Sequence, residues 1–129
     1  MGLKIKITER ESGIFIVLLK GSIDSSTYEE MEAAIRPVLT PSTKAIVLNM
    51  GEVDYITSMG IKVVMDTKKA VGEQRGIFMM IDLQPQVKNV FEIVKLYPTL
   101  NIFENIEEAD RYLLELQKKE IERRKRELK

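Results

Sequence analysis

A single α/β domain is predicted, with a mixed sheet of four to five strands flanked by helices in the order ββαβαβαβα. Three observations predict it. Residues 3–8 (LKIKIT) alternate apolar and polar side chains with the period of a half-buried strand. Residues 44–50 (KAIVLNM) are almost wholly apolar, as expected of a central strand covered on both faces. After that strand, apolar residues recur at helical spacing between short apolar runs, so later strands each follow a helix and right-handed crossovers make them parallel. A chain of 129 residues is long enough for one domain with its own core and short for two.

The elements follow in order. Residues 3–8 and the denser run 13–20 (GIFIVLLK) form a hairpin across the polar turn Glu9 to Ser12, and Gly21 ends the second strand. Ser26-Thr27-Tyr28-Glu29 reads as a capping box that starts the first helix, which runs to about Leu39. Its inward stripe is Met31, Ala34, Ile35, Val38 and Leu39, and Pro37 bends or ends its last turn. The central strand comes next, and Gly51 to Thr57 is the loop to helix two. Ile61, Val64, Met65 and Val71 repeat at helical spacing until Gly72 to Gly76 breaks the pattern. Strand four is Ile77 to Ile81. Pro85 suits the first turn of helix three, whose Val87, Val90, Phe91 and Val94 face inward and which Pro98 stops. A short strand, Asn101 to Phe103, precedes an N-cap at Asn105 answered by Glu108, opening a helix through Ala109, Tyr112, Leu113 and Leu116.

From Gln117 onward the apolar content collapses. Residues 117–129 hold seven basic and three acidic side chains, a net of +4 that leaves residues 1–116 at −4. The division expected is a domain over 1–116 and a basic helical extension over 117–129, with Glu120–Arg124 and Glu122–Arg126 as pairs four residues apart. The extension's apolar content is too thin for membrane binding, which needs a broad apolar face.

Composition excludes several classes of function. Twenty basic and twenty acidic residues cancel, so no strong positive field draws the chain to nucleic acid. There is no cysteine and no histidine, which removes thiolate nucleophiles, zinc–thiolate sites, and the commonest general base and transition-metal ligand. No Gly-rich phosphate loop of either common spacing follows a strand, and the only nucleophilic arrangement left is a Ser–Lys one. The methionines, Met59, Met65, Met79 and Met80, read as core filler, and no cofactor is implied. The N-terminus alternates apolar and charged residues, and no run of about 18 apolar residues occurs, so a cytoplasmic protein without membrane insertion is expected.

The segment that carries chemistry is Asp54-Tyr55-Ile56-Thr57-Ser58-Met59-Gly60, at the carboxyl end of the central strand, where open α/β sheets collect their ligands. Ser58 falls at the first turn of helix two, where unpaired N–H groups and the helix dipole favour negative charge. Thr57 or Ser58 can serve simply as the helix cap. Neither Gly60 nor Ile61 can complete a capping box, so this helix start keeps free donors. Asp24, between a strand and a helix, reads equally as a turn residue and as a contact residue.

The strand KAIVLNM, the loop GEVDYI, the segment TSMG and the helix IKVVM resemble the STAS domain of bacterial anti-sigma factor antagonists. The family's loop reads Asp-Ser-Ser-Gly or Asp-Ser-Thr-Gly, and Gly21-Ser22-Ile23-Asp24 is similar to its Gly-Glu-Leu/Ile-Asp. The resemblance implies that Ser58 is the phosphoacceptor, Gly60 the glycine that follows it, and Asp24 the acid of the neighbouring loop. It implies an anti-sigma factor that is also a serine kinase as partner, with a serine phosphatase restoring the unmodified state. The protein is then a substrate and ligand and not an enzyme. Thr57 stands where the family has aspartate and adds a second possible acceptor. Met59 replaces a hydroxyl residue, and Lys62 replaces a glycine where a phosphate one turn away is within reach. Asp24, Thr57, Ser58, Met59, Gly60 and Lys62 form the expected partner surface. The alternative is an unphosphorylated structural STAS subunit of a larger sensory or lipid-transport assembly.

Overall fold

The computed structural model of the chain describes residues 2–95 and 100–128. Pro98, the expected stop of the third helix, and Lys129 of the basic extension lie outside the described residues. The elements are β1 (Lys4–Glu11), β2 (Ile14–Ile23), α1 (Tyr28–Ile35) running into a 3-10 turn (Arg36–Val38), β3 (Ala45–Ile56), α2 (Ser58–Glu73), β4 (Ile77–Ile81), α3 (Pro85–Ile93), β5 (Ile102–Phe103) and α4 (Ile106–Glu127). The sheet order is β1-β2-β3-β4-β5. β1 and β2 form the antiparallel hairpin, and β2 to β5 are parallel, so the mixed sheet is as the sequence predicted.

Alternation along β3 and β4 divides the core between two faces. Ile46, Leu48, Phe78 and Met80 face Met31 and Ile35 of α1, Val63, Val64 and Val71 of α2, and Val87 and Phe91 of α3. Ala45, Val47, Met79 and Ile81 face the other way, against Ala109 and Leu113 of α4. Burial on both faces explains why these strands read as unbroken apolar runs.

Several boundaries differ from the sequence reading. β2 does not end at Gly21; the glycine takes φ 120 within the strand, a conformation open to it without a Cβ, and pairing continues to Ile23. β3 does not stop at Met50 but runs to Ile56, so Gly51 to Ile56 is strand and not loop. α1 lacks the expected capping box: Thr27 is its N-cap residue with no side-chain cap bond, and Ser26 is turned toward Asp24. Pro37 tightens the end of α1 into the 3-10 turn, as its missing N–H requires. Val94 lies past the end of α3 and is 44% exposed. β5 begins at Ile102, one residue later than expected.

At α4 the expected cap forms. Asn105 Oδ1 accepts from Glu108 N–H at 3.0 Å, and the Glu108 carboxylate reaches back to Glu104 N–H at 3.1 Å. α4 then continues without a break through the basic extension, where Glu120 pairs with both Arg123 and Arg124. Glu122 and Arg126, the other expected pair, are not among the ion pairs of the described residues.

Candidate functional site

The site is built on a strand that outruns its neighbour. β4 pairs with β3 only over Ala45 to Asn49, so the rest of β3 has no strand on that side. On the other side β2 follows it to the end, with Lys20 opposite Glu52, Gly21 opposite Val53, Ser22 opposite Tyr55 and Ile23 opposite Ile56. The open edge would leave carbonyls unpaired. Two side chains at the start of α3 take their place: Gln84 Nε2 donates to Gly51 O at 2.9 Å, and Gln86 Nε2 donates to Asp54 O at 3.1 Å. Ser22 Oγ donates to Asp54 Oδ1 at 2.9 Å and ties the two strand ends together.

α2 begins immediately after β3, with Thr57 as its extended N-cap residue (φ −102, ψ 178). Thr57 N–H donates to Ile23 O at 3.0 Å, which pins the helix start to the end of β2, and its hydroxyl lies half-buried 3.4 Å from the same carbonyl. The Thr57 side chain therefore does not cap α2, and the first turn carries no acidic residue. This start differs from that of α4, where Asn105, Glu107 and Glu108 supply both cap and charge. The positive end of α2 is left to whatever approaches it.

Ser58, the first residue of α2, is exposed, and its hydroxyl makes no hydrogen bond to any described side chain. Among the described residues no group is hydrogen-bonded to it that could activate it as a nucleophile, and the hydroxyl faces solvent. Met59 is half-buried and belongs to neither apolar cluster, unlike Met79 and Met80, so it is not the core filler its composition suggested. Gly60 is buried: a Cβ there would stand 2.6 Å from Ile23 O. It lets α2 approach β2 and presents no side chain outward.

Asp24 and Lys62 are both engaged within the chain. The Asp24 carboxylate accepts from Ser26 Oγ–H at 2.7 Å, Ser26 N–H at 2.8 Å and Thr27 Oγ1–H at 3.3 Å, and so shapes the turn into α1. Lys62 Nζ pairs with Asp66 at 2.9 Å, one turn further from Ser58. Both partners of that pair are more than half exposed, so water and salt screen it and it holds Lys62 only weakly.

The hydrogen bonds from Ser26, side chain first, hold Asp24 below its ordinary pKa. A lowered folded value means that this contribution to stability is complete above the unfolded pKa, about 4, and is lost as pH falls through the folded one. Asp24→Asn should therefore flatten the loss of melting temperature between pH 5 and pH 2.5. A wild-type-like acid profile in that variant would show that the turn does not draw on the charge.

Tyr55, Gln84, Gln86 and the Ser22–Asp54 bond were not anticipated. The available signal was the spacing Met50, Val53, Ile56, where inward residues fall three apart instead of two.

The family model for the STAS domain matches residues 6–109. The chain belongs to the STAS domain family. A relative in Bordetella bronchiseptica, which bears the name "Putative anti-sigma factor antagonist BtrV", is 31% identical over 75% of this chain and 87% of its own. Among solved STAS structures, an anti-sigma factor antagonist from Mycobacterium paratuberculosis superimposes with a TM-score of 0.77 at 22% identity, covering 86% of this chain and 93% of that one. Unphosphorylated SpoIIAA, also an anti-sigma factor antagonist, gives 0.72 at 19% identity over 84% and 96%. These structures share the STAS fold: a five-stranded mixed sheet with helices on both faces. Among the described residues no group of His, Cys, Asp and Glu is placed to hold a metal ion, and no helix is long and apolar enough to cross a membrane.

Proposed function

We propose that this STAS domain is an anti-sigma factor antagonist of a partner-switching pathway, turned off by phosphorylation of Ser58. The observation that carries the reading is the exposed Ser58 hydroxyl at the uncapped, acid-free start of α2. The name of the Bordetella relative supports the output, and a structure of SpoIIAA in its phosphorylated form, with a TM-score of 0.66, shows modification within this fold. The partner is an anti-sigma factor that is also a serine kinase, meeting Asp24, Thr57, Ser58, Met59 and Lys62, and a serine phosphatase reverses the modification. The chain is ligand and substrate in this scheme, works in the cytoplasm, and touches neither nucleic acid nor membrane.

The physics of the switch is local. A phosphate adds about −1.5 to −2 charges, which the free N–H groups and dipole of α2 accommodate, so the free fold is unchanged. A partner complementary to a neutral hydroxyl beside Met59 then meets a bulky anion, and burying it without a counter-charge costs several kcal/mol. The test is retention of partners from lysate of its own cells on the immobilised Ser58→Ala protein, which keeps the surface but cannot take the phosphate that would release them. The reading requires an ATP-binding anti-sigma factor among them. Retention only of transporter or sensory-complex subunits would replace it with the structural-subunit role.

A further inference from the structure

Residues of β3 that enter the larger core are Ile46, Leu48, Met50, Val53 and Ile56. The first three are two apart and the last three are three apart, because β3 carries two irregularities against β2. At the second, Gly21 pairs with Val53 and Ser22 with Tyr55, which makes Asp54 an extra residue. Regular alternation from Val53 would send Tyr55 into the core. The bulge puts both Asp54 and Tyr55 outside instead.

Tyr55 is 53% exposed, the one aromatic among the exposed large apolar side chains of the described residues. Its side chain makes no hydrogen bond or ring contact with any of them. Folding thus leaves about half of a large aromatic surface in water, with no hydrogen bond or ring contact to offset it. The backbone beneath it is braced on both sides, by Ser22 Oγ on the Asp54 carboxylate at 2.9 Å and by Gln86 Nε2 on Asp54 O at 3.1 Å. Bulges recur where a side chain is re-aimed beside a functional site. Tyr55 lies three residues before Ser58, within about 11 Å by chain length alone.

We infer that Tyr55 is the aromatic anchor of the interface at Ser58, entering an apolar pocket on the partner protein; the identity of that partner rests on the function proposed above. A tyrosine on a rigid frame supplies large contact area with only two side-chain torsions to fix, which is why tyrosines dominate binding hot spots. Met59, half-buried on the far side of Thr57, is the lesser contact. A phosphate on Ser58 holds the partner's pocket off Tyr55, so anchor and switch act on one surface.

The partner is obtained by placing the photo-crosslinker p-benzoylphenylalanine at position 55 in living cells and identifying the irradiated adduct by mass spectrometry. The purified adduct protein is then the probe in calorimetry. Tyr55→Ala should weaken its binding about 30-fold, Tyr55→Phe should keep it within about threefold, and neither should move the melting temperature by more than about 2 °C. Those results, with adduct formation lost when Ser58→Asp is added, establish the anchor whichever protein is caught. If that protein is not an anti-sigma factor, the functional reading falls and the anchor stands. No adduct, or equal binding of Tyr55→Ala to an anti-sigma factor retained by the wild type, overturns the anchor and leaves the functional reading intact.

Discussion

Ser58→Asp is expected to weaken binding to the anti-sigma factor by at least about 30-fold, close to 2 kcal/mol, while the melting temperature stays level or rises slightly. Both halves follow from the start of α2. Its first turn carries no acidic residue and its N-cap side chain makes no cap bond, so a carboxylate there is favourable by about 0.3–1 kcal/mol in the free protein. In the complex the same carboxylate is desolvated against a surface fitted to a hydroxyl, and the cost falls on binding alone. Aspartate carries less charge and bulk than phosphate, so the modified protein should bind more weakly still. Ser58→Ala should bind like wild type and resist inactivation. Calorimetry paired with thermal scans separates the two quantities, and an aspartate variant of undiminished affinity would remove Ser58 from the interface.

Gly60→Ala is expected to destabilise the fold at the start of α2 itself. The new Cβ would stand 2.6 Å from Ile23 O, 2.6 Å from Ile56 Cγ1 and 2.9 Å from Ile23 Cγ2. One neighbour is backbone and the others belong to buried branched side chains, so α2 itself must shift, straining the Thr57 N–H bond to Ile23 O. Overpacking of this kind costs about 1–3 kcal/mol or more, against a gain of about 1 kcal/mol from replacing a helical glycine. A net loss of about 2 kcal/mol should lower the melting temperature by roughly 5–10 °C. Gly72, in the same helix with nothing within 4 Å of its would-be Cβ, is the control: Gly72→Ala should stabilise by about 0.5–1 kcal/mol. Two variants shifting in the same direction would refute the close-approach explanation.

The parts of the fold legible in the sequence are those where one periodicity holds over a whole element. Ile46, Val47 and Leu48 announced a strand buried on both faces, and the Asn105–Glu108 cap was written in residue types alone. The carboxyl half of β3 was misread as a loop because two bulges interrupt its alternation, and a bulge depends on the partner strand, which no local window contains. The same irregularity hid Tyr55, whose exposure follows from Asp54 being the extra residue. The start of α1 was misread for a related reason: Ser26 and Thr27 are hydroxyl residues in the right place to cap it, but the Ser26 hydroxyl donates to the Asp24 carboxylate, and the Thr27 hydroxyl donates to Ser22 O and accepts from Asp24 N–H. The place of Ser58 at the start of α2 was legible because a strand end and a run at helical spacing meet there, whereas its reading as a phosphoacceptor came from the resemblance. That Gly60 is a packing residue emerged only once Ile23 was seen beneath it.

Phosphosite mapping of the protein after incubation with its purified anti-sigma partner and ATP tests the central claim most directly. The account predicts a single phosphate on Ser58 and release of the partner as modification proceeds. A phosphate on Thr57 alone, or none at either residue while the partner remains bound, would contradict it.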